Sequence, residues 1–360
     1  MQRPLPKAKK AITVGSAVVD IIANVADDDI EKMTLHNSTT SFLLMEPGRK
    51  LDAQSIVTHT GGGAVNAAVS LSRQGYNVSA LIKVGKDVNA DKLLNRFKEE
   101  GISTDEVAVH ESELTAISVI ISSHGHNAAI FTHRGANGFL EDEDVSAENF
   151  AGADLVYVTN LSNNSVSRFP KIVALAREAG AFVAVTPGIL QLTNHTKEFF
   201  DNLLNVDLFV CNFKEAETLV PHLLERTGLE KSEAPEMPDE NALLDHNGFR
   251  LGVGKYCDRL HQLGPQFIAV TNGEDGAFLS ARGVLIHQPV ILAQIAGTTG
   301  AGDSFASTLA GSLVQGNSPE KSMHFAALNA ASVVGFSDAQ TGLLSESELG
   351  VKYDQDRFEV

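Results

Sequence analysis

Between Gly297 and Phe305 the chain reads GTTGAGDSF, a run that sets three small backbone positions and one carboxylate at the head of an amphipathic stretch. Gly300, Ala301 and Gly302 leave backbone N–H groups uncovered where a helix is expected to begin. A helix N-terminus carries about half a positive charge, which attracts phosphate oxygens. Phe305, Leu309 and Leu313 recur at helical spacing, so the turn should be anchored on a core. Asp303 stands beside this cradle, where a negative charge does not help to hold phosphate. A carboxylate there is suited to take the proton of an alcohol as that alcohol attacks phosphorus. The plainer alternative is a helix cap, since Asp and Ser are favoured caps. The G-A-G run ahead of Asp303 favours the catalytic reading.

Other residues could serve the same chemistry. Gly61, Gly62 and Gly63 precede AVNAAVSLSRQG, in which Val65, Val69 and Leu71 are placed to face a core. Glycines let a chain approach a ligand closely, so backbone groups at Gly62 and Gly63 and the amide of Asn66 are candidates for binding hydroxyls. A cap or a satisfied core amide is the plainer reading of Asn66. Gly61, Gly63 and position 66 also fit the offsets of a dinucleotide fingerprint. Position 66 is Asn, however, and the run does not follow the first strand, which leaves a dehydrogenase as a minor alternative. Asp20, in VVDIIANV, either ends a strand facing water or accepts hydrogen bonds from two vicinal hydroxyls. Asn212 and Glu215, in NFKEAE, place an amide and a carboxylate at a strand end and a first helical turn. They can order water around Mg²⁺, or equally cap the helix. Thr271, Gly273 and Gly276, in VTNGEDGAFLS, make a turn that borders a nucleotide or closes a tight hairpin. His59, His124, His126 and His133 lack zinc-type spacing and read as surface or sheet histidines. No GxxxxGK[ST], GxSxG or HExxH is present, so any phosphate site works without a P-loop lysine.

These residues need a scaffold. A chain of 360 residues with 43% hydrophobic content suits one large α/β domain or a core with a smaller appendage. The formal net charge of −17 argues against nucleic acid or an anionic membrane as partner. A phosphate site must then work by local geometry, with a cation such as Mg²⁺ as helper. Cys211 and Cys257 alone support neither a disulfide framework nor a cysteine metal site, so a reducing, cytoplasmic setting is expected. MQRPLPKAKK followed by AITVGSAVVDIIANV copies the order of a secretory signal, but Asp20 and Asn24 interrupt the apolar run, and a first strand after a short basic tail is expected. No run is long enough to cross a bilayer.

From about residue 154 to 316, short β-branched runs alternate with helix-period segments, as in a parallel sheet covered on both faces. The expected strands are DLVYVTN from Asp154, FVAVTP from Phe182, DLFVCN from Asp207 and FIAVTN from Phe267. Ligands of such sheets bind beyond the carboxyl ends of the strands, so Asn160, Thr186, Asn212 and Thr271 should share one edge. In the first third, VVDIIANV, FLLMEPGRKLDAQSIVTHT, TAISVIISS and NAAIFTHRG read as a small antiparallel sheet projecting from the main body. Such a sheet can exclude water as a lid or pair two copies as a homodimer. The acidic segment ERTGLEKSEAPEMPDEN reads as a surface excursion, followed by a helix near Leu251 to Leu263.

Through GGGAVNAA, RGAN at Arg134 to Asn137, NFKEAE, VTNGEDGAFL and TTGAGDSF, in that order, the chain resembles the ribokinase-like, or PfkB, family of ATP-dependent sugar and nucleoside kinases over roughly residues 12 to 350. The resemblance implies a three-layer αβα domain with a mostly parallel central sheet and a small β-sheet lid. Residues 1–360 would form one kinase domain, with a discontinuous lid drawn from about 17–60 and 112–134. It also implies ATP as donor, Mg²⁺ as cofactor and transfer of the γ-phosphate to a primary hydroxyl. By resemblance Asp303 is the catalytic base and Gly300, Ala301 and Gly302 form the anion hole. Asn212 and Glu215 serve Mg²⁺ and phosphate, and Thr271, Gly273 and Thr298 line the nucleotide. Asp20, Gly62, Gly63 and Asn66 hold the substrate's hydroxyls.

Two departures stand out. Gly297 occupies the place where the family usually has Asp, a carboxylate that helps bind the ion in potassium-activated members, so the resemblance lends no support to a strong monovalent-cation site. TPG at Thr186 to Gly188 differs from the D-x-N strand end of many sugar kinases. Arg134 either reaches phosphates when the lid closes or is an edge charge that blocks sheet pairing. Phe42, Phe131 and Phe139 are scattered rather than clustered to stack a base, so a sugar acceptor is expected, with a nucleoside as the alternative. A ligand-binding module without turnover, and a dehydrogenase binding NADH, complete the readings.

Overall fold

The computed structural model describes residues 8–26, 28, 30–34, 41–123, 127–228, 243–246 and 249–358. His124, His126, the basic tail up to residue 7 and most of the acidic excursion (229–242) lie outside them.

The β-branched runs become an eight-stranded sheet. Its order is Val284–Gln288, Ala277–Ala281, Phe267–Thr271, Leu208–Asn212, Phe182–Val185, Leu155–Val158, Lys10–Val14, Asn77–Leu81. The last six strands run parallel, and the first two add an antiparallel edge. Because successive side chains alternate across a sheet, each strand feeds two cores. Val156, Val158, Val183, Val185, Phe209 and Val270 meet helices Phe169–Glu178, Phe213–Thr227 and Val253–His261 on one face. Leu155, Tyr157, Ala184, Leu208, Val210 and Ala269 meet helices Gly63–Arg73, Val88–Glu99, Ala301–Val314 and Pro319–Val333 on the other. The result is three layers, αβα. Phe305 and Leu309 are buried in the second core, with Leu313 packed against it, so the helix that carries Asp303 is fixed by apolar contacts.

Local signals set the helix starts. Asp87 accepts hydrogen bonds from the N–H groups of Asn89 and Ala90, both at 3.0 Å, and opens Val88–Glu99. Ser318 caps Pro319–Val333, whose proline sits where its missing N–H costs nothing. Gly300 takes φ +81° ahead of Ala301–Val314, and an added Cβ would lie 2.3 Å from that of Ala339.

A second, four-stranded sheet has the order Asn127–His133, Ala116–Ser123, Val18–Val25, Ala53–Gly61. The sequence suggests a wholly antiparallel sheet, but its central pair, Val18–Val25 with Ala116–Ser123, is parallel. The two strands do not form a hairpin: between them the chain returns to the main domain through Gly63–Arg73, Asn77–Leu81 and Val88–Glu99. Both therefore leave the main body in the same direction. A further correction concerns the helix expected near Leu251. A hairpin of Leu243–His246 and Phe249–Gly252 comes first, and the helix spans Val253–His261.

The junction between the sheets is pinned by side chains. Asn137, buried inside RGAN, accepts from the Ala17 N–H at 3.0 Å and donates to the Ala17 carbonyl at 2.9 Å, between strand Lys10–Val14 and strand Val18–Val25. The carbonyl of Ser16 accepts from Ala64 N–H at 3.2 Å. Among the described residues, no helix is long and apolar enough to cross a membrane.

Candidate active site

Asp303 lies in the first turn of Ala301–Val314. The first helical hydrogen bond runs from the Ser304 N–H to the Gly300 carbonyl at 2.9 Å, so the amides of Gly302 and Asp303 precede it, as the orphan donors of a helix start do. Ala301 N–H reaches the carbonyl of exposed Thr298 only at 3.4 Å. Gly302 is exposed, and a Cβ there would meet nothing within 4 Å. An anion could approach this turn from the open side of Gly302.

Asp303 itself is half-buried, and Asn66 Nδ2 donates to its Oδ2 at 2.8 Å. Burial pushes its carboxyl above the ordinary value of 3.8, and the Asn66 donor pulls the other way. Asp20 is close enough to be raised further by Asp303, after burial as the main cause. A hydrogen bond from Ser118 and the neighbouring His59 oppose that rise. The strand registers explain this cluster, because Asp20 pairs with His59 on one side and with Ser118 on the other. Tyr157, fully buried, has its phenol raised well above the usual value by burial and by Asp303, and so stays neutral. Asp20 on the second sheet and Asp303 at the head of a helix are thus close enough to act on each other through their charge.

The chain itself requires the glycines beside Asn66. Gly62 has φ +94°, and a Cβ there would sit 2.5 Å from the Ser16 carbonyl. A Cβ on Gly63 would lie 2.9 Å from the Thr159 side chain, and the Gly63 N–H is already donated to Ser16 Oγ at 3.1 Å. Asn66 gives one amide hydrogen to Asp303, and its Nδ2 carries a second.

Asn212 and Glu215 form a complete capping box: Asn212 Oδ1 accepts from Glu215 N–H, and Glu215 Oε2 accepts from Asn212 N–H, both at 2.9 Å. The cap is the geometry seen, and it commits one carboxylate oxygen of Glu215. Glu215 is half-buried, and burial raises its carboxyl above 4.5. Asn212 pairs in register with Thr271, which leads into the turn Gly273–Asp275 before the edge hairpin. Gly273 has φ +53° with open space where a Cβ would stand. The residues read from sequence therefore fall into two groups at the carboxyl ends of the parallel strands, one around Asp20, Asn66 and Asp303 and one around Asn212, Glu215, Thr271 and Gly273. Among the described residues no cluster of three or more His, Cys, Asp or Glu is arranged to hold a metal ion directly.

Other residues escape the sequence. His59 joins the site because strand alternation places it opposite Asp20, a pairing the isolated run VTHT does not reveal. Gln340 donates to Asn66 Oδ1 at 3.0 Å across 274 residues of chain. Arg134 donates to Ser162 Oγ at 3.1 Å. A Cβ at Gly297 is 3.0 Å from the Phe336 carbonyl, so the acidic side chain usual there would be cramped.

An open α/β sheet with a carboxylate and a bare helix start beyond its strand ends is a scaffold able to receive phosphate beside an acid. The model of the pfkB family of carbohydrate kinases matches residues 8–346, and the chain belongs to that family. It is 25% identical to ribokinase of Haemophilus influenzae over 306 residues, 84% of this chain and 90% of the relative. It is 24% identical over 352 residues to the bifunctional ribokinase/ribose-5-phosphate isomerase A of Fructilactobacillus sanfranciscensis. That match takes in 97% of this chain, which spans only 57% of the relative. The structure of Arabidopsis thaliana ribokinase complexed with ribose and ATP matches with a TM-score of 0.72 at 21% identity, over 96% of this chain and 98% of the other. At that identity the likeness shows the shared fold.

Proposed function

We propose that the protein transfers the γ-phosphoryl group of ATP to the primary hydroxyl of a sugar or related polyol. The observation that carries the reading is the Asn66–Asp303 hydrogen bond at the first turn of Ala301–Val314, beside Asp20 and the open Gly302. Asp303 takes the hydroxyl proton, the oxygen forms a bond to the γ-phosphorus, the bond to the bridging oxygen breaks, and ADP leaves with its electron pair. The backbone of Gly300, Ala301 and Gly302 forms the anion hole, and the amides of Gly302 and Asp303, which precede the first helical bond, stabilise the charge on the moving group.

Asp20 accepts hydrogen bonds from a vicinal diol, and Asn66 offers its remaining N–H. Thr271, Gly273 and Thr298 border the nucleotide. Mg²⁺ would be held through water by Glu215, with Asn212 orienting it, and its charge would offset that of the phosphates. The second sheet acts as the lid over the acceptor, hinged where Asn137 grips Ala17.

Support for a sugar comes from the ribokinase relatives and from the polar row of Asp20, His59 and Ser118. Both cysteines are free and buried, in keeping with a reducing compartment. The test is ADP release over a panel of free sugars, phosphosugars and nucleosides. Turnover highest with a free sugar is expected. Turnover with nucleosides alone would replace the acceptor class, and binding without ADP release would overturn the reading.

A further inference from the structure

Gln340 lies in the Asp338–Thr341 loop, and its side chain is engaged at both ends. Its Oε1 accepts from Arg96 Nε at 3.0 Å and from Thr60 Oγ1 at 3.3 Å. Its Nε2 donates to the Thr60 carbonyl at 2.8 Å and to Asn66 Oδ1 at 3.0 Å. The backbone is held as well: Asp338 Oδ1 accepts from the Gln340 N–H at 2.8 Å, and Arg73 Nη1 donates to the Gln340 carbonyl at 2.9 Å. Gln340 is 3% exposed.

The directions of these bonds are not free. A guanidinium can only donate and a backbone carbonyl can only accept, so Arg96 and the Thr60 carbonyl leave Gln340 a single orientation, with Nε2 toward Asn66. An amide nitrogen can only donate, so Asn66 must turn Oδ1 to Gln340 and Nδ2 to Asp303. Reversed, Asn66 would set a carbonyl oxygen against the carboxylate, and only a protonated Asp303 could bond to it.

We propose that Gln340 is a positioning residue for the phosphotransfer base: acting through Asn66, it presents an N–H rather than an oxygen to Asp303, and through Thr60 it links that arrangement to the second sheet. The inference rests on the reading of Asp303 as the base. The charged and titratable groups around the relay are Asp20 and Tyr157 near Asp303, His59 near both Asp20 and Asp338, and Arg73, Glu99 and Glu100 around Arg96. A base works only when ionised, so activity falls as pH drops through its pKa, and losing a donor to the ionised form moves that limb to higher pH.

The experiment is the pH profile of kcat/KM for wild type, Gln340→Glu, Gln340→Met and Asp303→Asn, with thermal unfolding of each. Wild type should show an acid limb above 3.8. In Gln340→Glu the new carboxylate draws Asn66 Nδ2 to itself, so the limb should rise by about 1–2 pH units. Gln340→Met removes the director and leaves Asn66 free to turn either way, so the donor is lost part of the time and the limb should rise by less. Wild-type limbs in both variants, with only a uniform drop in rate or an earlier melt, would reduce Gln340 to a structural tie and overturn the proposal. Full turnover in Asp303→Asn would overturn the reading of the base itself, and the proposal with it.

Discussion

Two glycines two residues apart, Gly300 and Gly302, should respond to substitution in opposite ways. Gly300 is left-handed at φ +81°, and an added Cβ would come within 2.3 Å of Ala339. The backbone alone costs about 1–2 kcal/mol for a residue with a Cβ, and overpacking adds roughly 1–3 kcal/mol. Gly300→Ala should therefore destabilise the fold by about 2–5 kcal/mol. Gly302 is helical, exposed and faces open space. A Cβ at Gly302 meets nothing within 4 Å, and β-branched residues suit a helix slightly better than Gly does, so the melting temperature of Gly302→Val should hold or rise. The valine methyls would stand where the migrating phosphoryl group approaches the turn. Losing one anion-hole donor costs about 10²–10³ in kcat, or roughly 2.7–4 kcal/mol. Scanning calorimetry and steady-state ADP release on the two variants separate the effects. A Gly302→Val enzyme with wild-type kcat, or one that unfolds as Gly300→Ala does, would refute the assignment of this turn to phosphate.

Asn212→Ala removes a complete capping box and should lower stability by about 1 kcal/mol; it should also raise the Mg²⁺ concentration needed for half-maximal rate, and a change in stability alone would restrict Asn212 to capping. Acid should weaken the fold through Asp87 and Glu100. Although burial pushes both up, N–H donors from Thr115, Ala90 and Asn89 hold Asp87 below 3.8, and Arg73 with Arg96 holds Glu100 below 4.5. Folded values below the unfolded ones contribute stability that is complete above the ordinary range and lost as pH falls through the lowered values. Urea titrations should show stability falling below about pH 4.5, with a shallower fall in Asp87→Asn; parallel pH curves would contradict the linkage.

Much of the main sheet was legible because its strands are apolar on both faces and end in polar turns. DLVYVTN, FVAVTP, DLFVCN and FIAVTN needed only length and β-branching to be read, and they pair as parallel neighbours. The direction of pairing in the second sheet was not legible, because alternation along VVDIIANV and TAISVIISS is the same whether the strands run together or apart. The hairpin before Val253 was hidden for a related reason: Phe249–Gly252 is four residues long, too short for periodicity to separate it from the helix that follows. Around Asp303, spacing drew attention to Gly300, Gly302, Asn66 and Asp20, since each lies in a run with a local shape. Gln340 has no such run. Its contacts to Thr60 and Asn66 span more than 270 residues, and only the folded chain brings Arg96, Thr60 and Asn66 around one amide.

In the proposed reaction Asp303 activates the incoming hydroxyl while the helix start receives the phosphoryl group. The most direct test is kcat for Asp303→Asn with the best sugar of the panel, measured as ADP release, alongside calorimetric ATP binding to the same protein. The value of kcat should fall by about 10²–10⁴ with ATP affinity retained. Near-normal turnover would contradict that role.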